Sequence, residues 1–212
     1  MKLRGALLLC AGSIAWGTTA YAYTFLVTGV KWPTPTVQYY INPATSDMPE
    51  TDVLAAIQAA ASAWVLQSGA NIQPSYRGKT TRSTVTLNGT SDIFFREESN
   101  GTTYGQTYVW WNGSNQLIEA DMIFYGGSVT FFSAGSACSG TSVYLQDAAT
   151  HEFGHAFGLG HSDVSGGTMY PTMNWCSTYV RTLEPDDIAG IQALYPPTSP
   201  APRTPTNVRI TR

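Results

Sequence analysis

Residues 151–161 read HEFGHAFGLGH, and this stretch decides both the fold and the chemistry that the sequence predicts. His151 and His155 are four residues apart, so on a helix both imidazoles project from one face about one turn apart. That is the spacing needed to ligate one zinc ion. Gly158 permits a sharp turn at the end of the helix, because glycine tolerates a positive φ angle. The turn brings back His161 as a third nitrogen ligand, and three protein ligands leave one zinc position open, as in catalytic sites.

Glu152 follows the first histidine, so it can stay outside the metal shell and act on a water molecule as general base. All three histidines of the chain lie in this stretch, so none remains to activate a serine or cysteine nucleophile. The alternatives are core histidines with ordinary partners and a non-catalytic zinc site, which would leave Glu152 without a role. The sequence therefore favours a single catalytic zinc ion.

The motif helix is expected from about Leu145 to Gly158, and hydrophobic periodicity places the other elements around it. The predicted strands are Val37–Ile41, Ile72–Tyr76, Thr84–Leu87, Asp92–Arg96, Gln106–Trp111 and Leu117–Tyr125, and the other helices are Thr51–Gln67 and Pro185–Tyr195. In Leu117–Tyr125, Ile118 shares one face with Ala120, Met122 and Phe124, while Glu119 and Asp121 take the opposite face and are expected to meet solvent. Residues 126–140 are rich in glycine and serine and indicate a loop.

Residues 1–22 have the pattern of a secretory signal peptide. Lys2 and Arg4 precede an apolar run, and a small-x-small site ends directly before Tyr23. Cys10 is a candidate for lipid attachment, but Leu9 stands where such signals usually carry a small residue. No apolar stretch reaches the length of about 20 residues that a transmembrane helix needs. The sequence predicts a secreted, extracellular domain over residues 23–195.

The composition after Tyr195 changes. Pro196–Pro205 is a proline-rich linker, and residues 205–211 resemble the opening strand of a fibronectin type III module. We interpret residues 196–212 as a linker followed by the truncated start of such a module, with a disordered tail as the alternative.

Charge and composition exclude several classes of protein. The chain is 43% hydrophobic and 12% charged, which is the reverse of the balance found in disordered proteins. Residues 23–195 hold six basic and all fourteen acidic residues, a balance of −8, so nucleic acid and anionic membrane surfaces would repel the domain. We expect a monomer that acts on polypeptides, with no nucleic-acid partner and no stable membrane association.

Two cysteines, Cys138 and Cys176, remain after removal of the signal peptide. In an exported protein an even number favours a disulfide, which would join the loop before the motif helix to the chain near residue 176. The competing interpretation makes Cys138 a thiolate that blocks the zinc.

Three further segments extend the motif into a family resemblance. Ser162 follows His161, residues 167–171 (GTMYP) place Met169 eight residues after His161, and residues 183–195 read LEPDDIAGIQALY. The chain from about Lys31 to Tyr195 resembles the matrixins, the matrix-metalloproteinase-like branch of the metzincin zinc endopeptidases, and specifically a secreted member of bacterial type. The resemblance implies an α+β fold: a twisted five-stranded mixed sheet with one antiparallel edge strand at Gly105–Trp111, an active-site helix and a small C-terminal subdomain.

The resemblance also implies an activity and an apolar floor beneath the zinc, formed by Met169. An extended polypeptide would bind along the edge strand, and water would attack its scissile carbonyl with zinc as Lewis acid and Glu152 as general base, then general acid. The alternative function is a non-catalytic secreted module that uses zinc on the same fold for recognition; the presence of Glu152 disfavours it.

The resemblance further implies a specificity pocket lined by Asp147, Tyr170, Pro171 and Met173. A carboxylate at Asp147 would favour Arg or Lys after the cut, unless it serves only to stabilise the start of its helix. Calcium is a second candidate ion, with Asp92, Glu119 or Asp121 as its ligands.

Overall fold

The computed structural model describes residues 21–127 and 129–198. Within them, the chain forms β1 (Thr36–Ile41), α1 (Glu50–Ser68), β2 (Gln73–Lys79), β3 (Asp92–Arg96), β4 (Gly105–Trp111), β5 (Leu117–Tyr125), β6 (Thr130–Phe132), β7 (Ser142–Tyr144), α2 (Leu145–Ala156) and α3 (Pro185–Leu194). Residues 1–20 of the predicted signal peptide and residues 199–212 of the C-terminal tail lie outside the described residues.

The main sheet has five strands in the order β2-β1-β3-β5-β4. β1, β2, β3 and β5 run parallel to one another, and β4 is antiparallel to β5 at the edge. This arrangement confirms the predicted α+β fold with a five-stranded mixed sheet and an antiparallel edge strand. Because β4 is an edge strand, one side of its backbone has no partner strand among the described residues.

Helices α1 and α2 share the main hydrophobic core. In α1, Val53, Ile57 and Trp64 recur at helical spacing and are fully buried. The helix ends at Gly69, whose φ of 65° is left-handed. The indole Nε1 of Trp64 donates to the carbonyl of Thr150 at 2.8 Å, which fixes α1 against the helix that carries the histidines.

One predicted strand and one predicted solvent-facing surface are wrong. Thr84–Leu87 is not a strand, because its backbone pairs with a side chain: Thr86 N donates to Asp121 Oδ2 at 3.2 Å. The segment therefore covers the outer face of the sheet, where Glu119 and Asp121 are fully buried instead of facing solvent. Ile118, on the other face, is 43% exposed.

The predicted loop at residues 126–140 contains β6, which pairs in parallel with β7. β7 continues directly into α2, so this small second sheet positions the start of the motif helix. Across residues 21–127 and 129–198, no helix combines the length and apolarity that crossing a membrane would require.

Candidate metal centre and active site

The motif helix ends in a tight turn that returns the chain to the site. After Ala156, the amide of Gly158 donates to the carbonyl of His155 at 2.9 Å, and the amide of Leu159 donates to that of Gly154 at 2.9 Å. Gly158 has a φ of 106°, and a Cβ there would lie 3.2 Å from the carbonyl oxygen of Val30. The positive φ therefore favours glycine at this turn, as the sequence indicated, and a Cβ would also crowd the Val30 carbonyl.

The three histidines converge through their Nε2 atoms. His151 Nδ1 lies 2.6 Å from the carbonyl oxygen of Thr168, and His155 Nδ1 lies 2.8 Å from that of Leu159. A carbonyl oxygen can only accept, so each Nδ1 carries the proton and each Nε2 presents its lone pair. The Nε2 atom of His155 is 3.1 Å from that of His151 and 3.3 Å from that of His161.

These two distances fit zinc, and all three ligand nitrogens lie within 4.8 Å of one another. Tetrahedral coordination with Zn–N bonds of about 2.0–2.1 Å places ligand nitrogens about 3.3 Å apart. Burial lowers the pKa of His151 to about 3 and that of His155 to about 4, and it also lowers the pKa of His161. The imidazoles are therefore neutral near pH 7, which is the form that binds metal. Within the described residues, these three form the one group of histidine, cysteine or acidic side chains close enough to hold an ion together.

Met169 lies directly against the histidine-bearing helix. It is 2% exposed, and a Cβ on Gly154 would come 2.2 Å from its sulfur atom. The Met169 amide donates to Asp187 Oδ1 at 3.0 Å, and the Thr168 amide donates to Oδ2 of the same carboxylate at 2.8 Å. Asp187, in the first turn of α3, therefore holds the turn that presents Met169 to α2.

Glu152 is 3% exposed and lies against the edge strand. Thr107 Oγ1 donates to Glu152 Oε2 at 2.6 Å, and a Cβ on Gly105 would lie 2.6 Å from Oε1. Burial raises the pKa of Glu152 to about 7, and the hydrogen bond from Thr107 opposes this rise. A carboxyl group with a pKa near the working pH suits proton transfer in both directions. No local sequence pattern marks Thr107 or Gly105 individually as a partner of Glu152.

The histidines and Glu152 lie at a cleft of about 500 Å³. One side is formed by residues 102–107, which include the start of β4, and the other by residues 171–173 and Trp175. Leu26 from the N-terminal segment also contributes. Of the predicted pocket residues, Pro171 and Met173 line this cleft, whereas Tyr170 and Asp147 are not among its lining residues.

Asp147 is buried, does not line the cleft and is bound to Arg181. Its carboxylate is fully buried and accepts from Arg181 Nε at 2.7 Å, from a terminal nitrogen of the same guanidinium, and from the Arg181 amide at 3.1 Å. Burial raises the pKa of Asp147, and the hydrogen bond and charge of Arg181 oppose the rise. The charge that was expected to select Arg or Lys is thus already paired inside the protein.

A disulfide joins Cys138 to Cys176, with a Cα–Cα distance of 5.6 Å. The structure therefore contains the predicted pairing rather than a free Cys138 thiolate. The Cys176 amide also donates to the carbonyl of Ser142 at 2.8 Å. Trp175 lines the cleft and directly precedes Cys176, which is held by both the disulfide and this hydrogen bond. The bridge therefore fixes the wall of the cleft opposite β4.

The three acids proposed as calcium ligands are fully buried and occupied by hydrogen-bond donors. Glu119 accepts from the Asn88 amide at 3.0 Å and from the Gly89 amide. Asp121 accepts from the Asp92 amide at 2.9 Å, and the Asp92 side chain pairs with the guanidinium of Arg82. These carboxylates attach the segment from residue 82 to 92 to the sheet, and calcium binding stays a prediction.

Comparison with known proteins adds independent findings. The family model described as Matrixin matches residues 31–196. Matrix metalloproteinase-20 of Homo sapiens is 34% identical over 171 residues, covering 79% of this chain and 32% of that protein. Matrilysin of Mus musculus is 31% identical over 191 residues, covering 82% of this chain and 62% of that protein. Metalloendoproteinase 4-MMP of Arabidopsis thaliana is 47% identical over 57 residues. The chain therefore spans about a third of the length of matrix metalloproteinase-20 and about three fifths of the length of matrilysin.

Proposed function

Because the chain belongs to the matrixin family, we propose that it is a zinc-dependent endopeptidase that hydrolyses internal bonds of extended polypeptides. The observation that carries the proposal is the convergence of three neutral imidazoles beside a buried carboxyl group, in a cleft bordered by an unpaired strand edge. His151, His155 and His161 would hold the metal, and Glu152 would move the proton.

The edge strand supplies the substrate site. A peptide that adds to β4 as a further strand satisfies unpaired backbone groups of the edge and becomes extended across the cleft. This binding is largely independent of side chains, so it suits polypeptide substrates in general. The apolar contributions of Leu26, Met173 and Trp175 to the cleft, with Asp147 paired elsewhere, favour an apolar rather than a basic residue beside the scissile bond.

Glu152 performs the proton transfers. A zinc ion held by the three histidines would supply Lewis acidity, which polarises the scissile carbonyl and acidifies a water molecule. Glu152 accepts the proton of that water as it attacks and then donates it to the departing amine, which completes hydrolysis without a covalent intermediate. Its burial excludes bulk water from the carboxyl group.

The test is cleavage of a peptide library by purified zinc-loaded protein, with Glu152→Gln as the matched variant. We expect the wild-type protein to cut peptides and to stop when a chelator removes zinc. Glu152→Gln keeps the shape of the side chain, so it should retain zinc while its turnover falls about 10²- to 10⁴-fold. Zinc binding without cleavage of any peptide by the wild type would favour the recognition module instead.

We also propose that residues 1–22 direct export and that residues 23–195 form the catalytic domain. The charged start, apolar run and small-x-small site support the first assignment, and the family match at residues 31–196 supports the second. N-terminal sequencing of protein recovered outside producing cells should begin at Tyr23; a sequence that begins at Met1 would contradict the export proposal.

A further inference from the structure

Two residues of the edge strand β4, Gly105 and Thr107, contact the carboxylate of Glu152. They are two residues apart and so lie on the same face of the strand. The Thr107 hydroxyl donates to Oε2 at 2.6 Å and lies 3.2 Å from the backbone carbonyl oxygen of Glu152. The hydroxyl has one proton, so the shorter contact to the carboxylate takes it. On the same face, a Cβ at Gly105 would come within 3.0 Å of both Cγ and Cδ of Glu152. Gly105 thus leaves room for the carboxylate, and Thr107 anchors it there.

This anchoring matters because glutamate has three rotatable side-chain bonds. A general base must direct a free lone pair at the water that it deprotonates. A hydrogen bond to Oε2 fixes the rotation of the carboxylate and leaves Oε1 to act. Threonine suits the role since its β-branched side chain has restricted χ1 freedom, so the hydroxyl is itself held in place by the strand.

We propose that Thr107 is a positioning residue for Glu152, and that its hydroxyl fixes which carboxylate oxygen performs the proton transfers. The assignment rests on the proposed peptidase function. It also links substrate binding to catalysis through one strand: the backbone of β4 offers its free edge to the peptide, and the Thr107 side chain orients the base.

The experiment compares Thr107→Val, Thr107→Ser and wild type as zinc-loaded proteins on one peptide that the wild type cuts. Valine keeps the branched shape and removes the hydroxyl, whereas serine keeps the hydroxyl. We expect Thr107→Val to lower kcat about 10- to 100-fold, as for a displaced catalytic group, with KM changed less than about twofold because the edge backbone is intact. Thr107→Ser should recover most of the lost kcat. Thr36→Val, an exposed threonine at the start of β1, should match the wild type.

Two further readouts separate positioning from a general structural effect. Crystal structures of the zinc-loaded variants should show the Glu152 carboxylate displaced in Thr107→Val and unmoved in Thr107→Ser. In a Glu152→Gln background, Thr107→Val should cause little further loss, because the group that it orients is no longer a base. Zinc content should stay close to wild type in both Thr107 variants, and the thermal midpoint should stay close to wild type in Thr107→Ser, which keeps the hydrogen bond to the buried carboxylate.

The proposal would be overturned by wild-type kcat in Thr107→Val, by an equal loss in Thr107→Ser, or by an undisturbed Glu152 in the Thr107→Val crystal structure. A protein that binds zinc and cuts nothing would instead contradict the peptidase function. The crystal structures would still decide where the Thr107 hydroxyl holds the carboxylate.

Discussion

Replacement of Arg181 by methionine should strongly destabilise the fold, because it leaves Asp147 buried without its partner. The side chain of Asp147 is fully buried, whereas that of Arg181 is 20% exposed. Arg181→Met keeps much of the apolar stem but removes both guanidinium contacts, and only backbone donors then remain for the carboxylate. Removal of one partner of a buried ion pair costs about 3–5 kcal/mol. For a domain of this size that loss lowers the thermal midpoint by about 6–20 °C.

The loss of stability in Arg181→Met should depend on pH in a defined direction. Burial already raises the pKa of Asp147, and Arg181 opposes this rise, so its removal raises the pKa further. A carboxyl group with a raised folded-state pKa contributes stability that is present below its unfolded pKa and is lost as the pH rises through the folded value. The difference in the free energy of unfolding between wild type and Arg181→Met should therefore be smaller at about pH 5 than at about pH 8.

Urea unfolding of zinc-loaded wild type, Arg181→Met, Asp147→Asn and the double variant measures these differences. Asp147→Asn should cost less than Arg181→Met, since the partly exposed guanidinium can reach water. The double variant should be more stable than Arg181→Met alone, because no buried charge remains unpaired. A double variant less stable than Arg181→Met, or a deficit that grows on acidification, would refute the reasoning. Asp147→Asn should also leave the cleavage profile unchanged, because Asp147 does not line the cleft.

Three other structural features lead to predictions that can be measured separately. Cys138→Ser together with Cys176→Ser should lower the free energy of unfolding by about 4 kcal/mol in the chain-entropy model, measured by urea titration under oxidising conditions; an unchanged midpoint would argue against a bridge. Gly154→Ala should lower the free energy of unfolding by about 1–3 kcal/mol through overpacking and reduce zinc affinity in a chelator competition. Unchanged stability together with unchanged zinc affinity would contradict the close contact between Gly154 and Met169. Glu119→Gln should cost about 1–3 kcal/mol and speed hydrogen exchange at Asn88, and slow exchange there would exclude the anchoring role.

The convergence of the three histidines and the place of Glu152 beside them were predictable because local spacing determines their placement. His151 and His155 occupy one helix face through the i, i+4 relation, and Gly158 marks the turn that returns His161. The length of α1 was equally local: the expected Thr51–Gln67 differs from the observed helix by one residue at each end. Where periodicity within one element decides the structure, the sequence alone was sufficient.

Strand assignment failed where the partner was not another strand. Thr84–Leu87 has a suitable pattern of residues, yet the Thr86 amide is bound by a carboxylate, and a strand exists only through backbone pairing with a neighbour. Conversely, Thr130–Phe132 is too short to stand out from a glycine- and serine-rich stretch, and it forms because Ser142–Tyr144 lies alongside.

The same limit explains why the partners of charged residues escaped prediction. Alternation along β5 correctly separated Glu119 and Asp121 from Ala120, but it specifies only which face a side chain takes and not what covers that face. Arg181 and Asp147 are 34 residues apart, and Thr107 and Glu152 are 45 apart, so no local pattern pairs them. Each pair depends on which segments the completed fold brings together. The position of Glu152 beside the histidines is therefore a property of the motif, whereas the orientation of its carboxylate is a property of the sheet edge that packs against it.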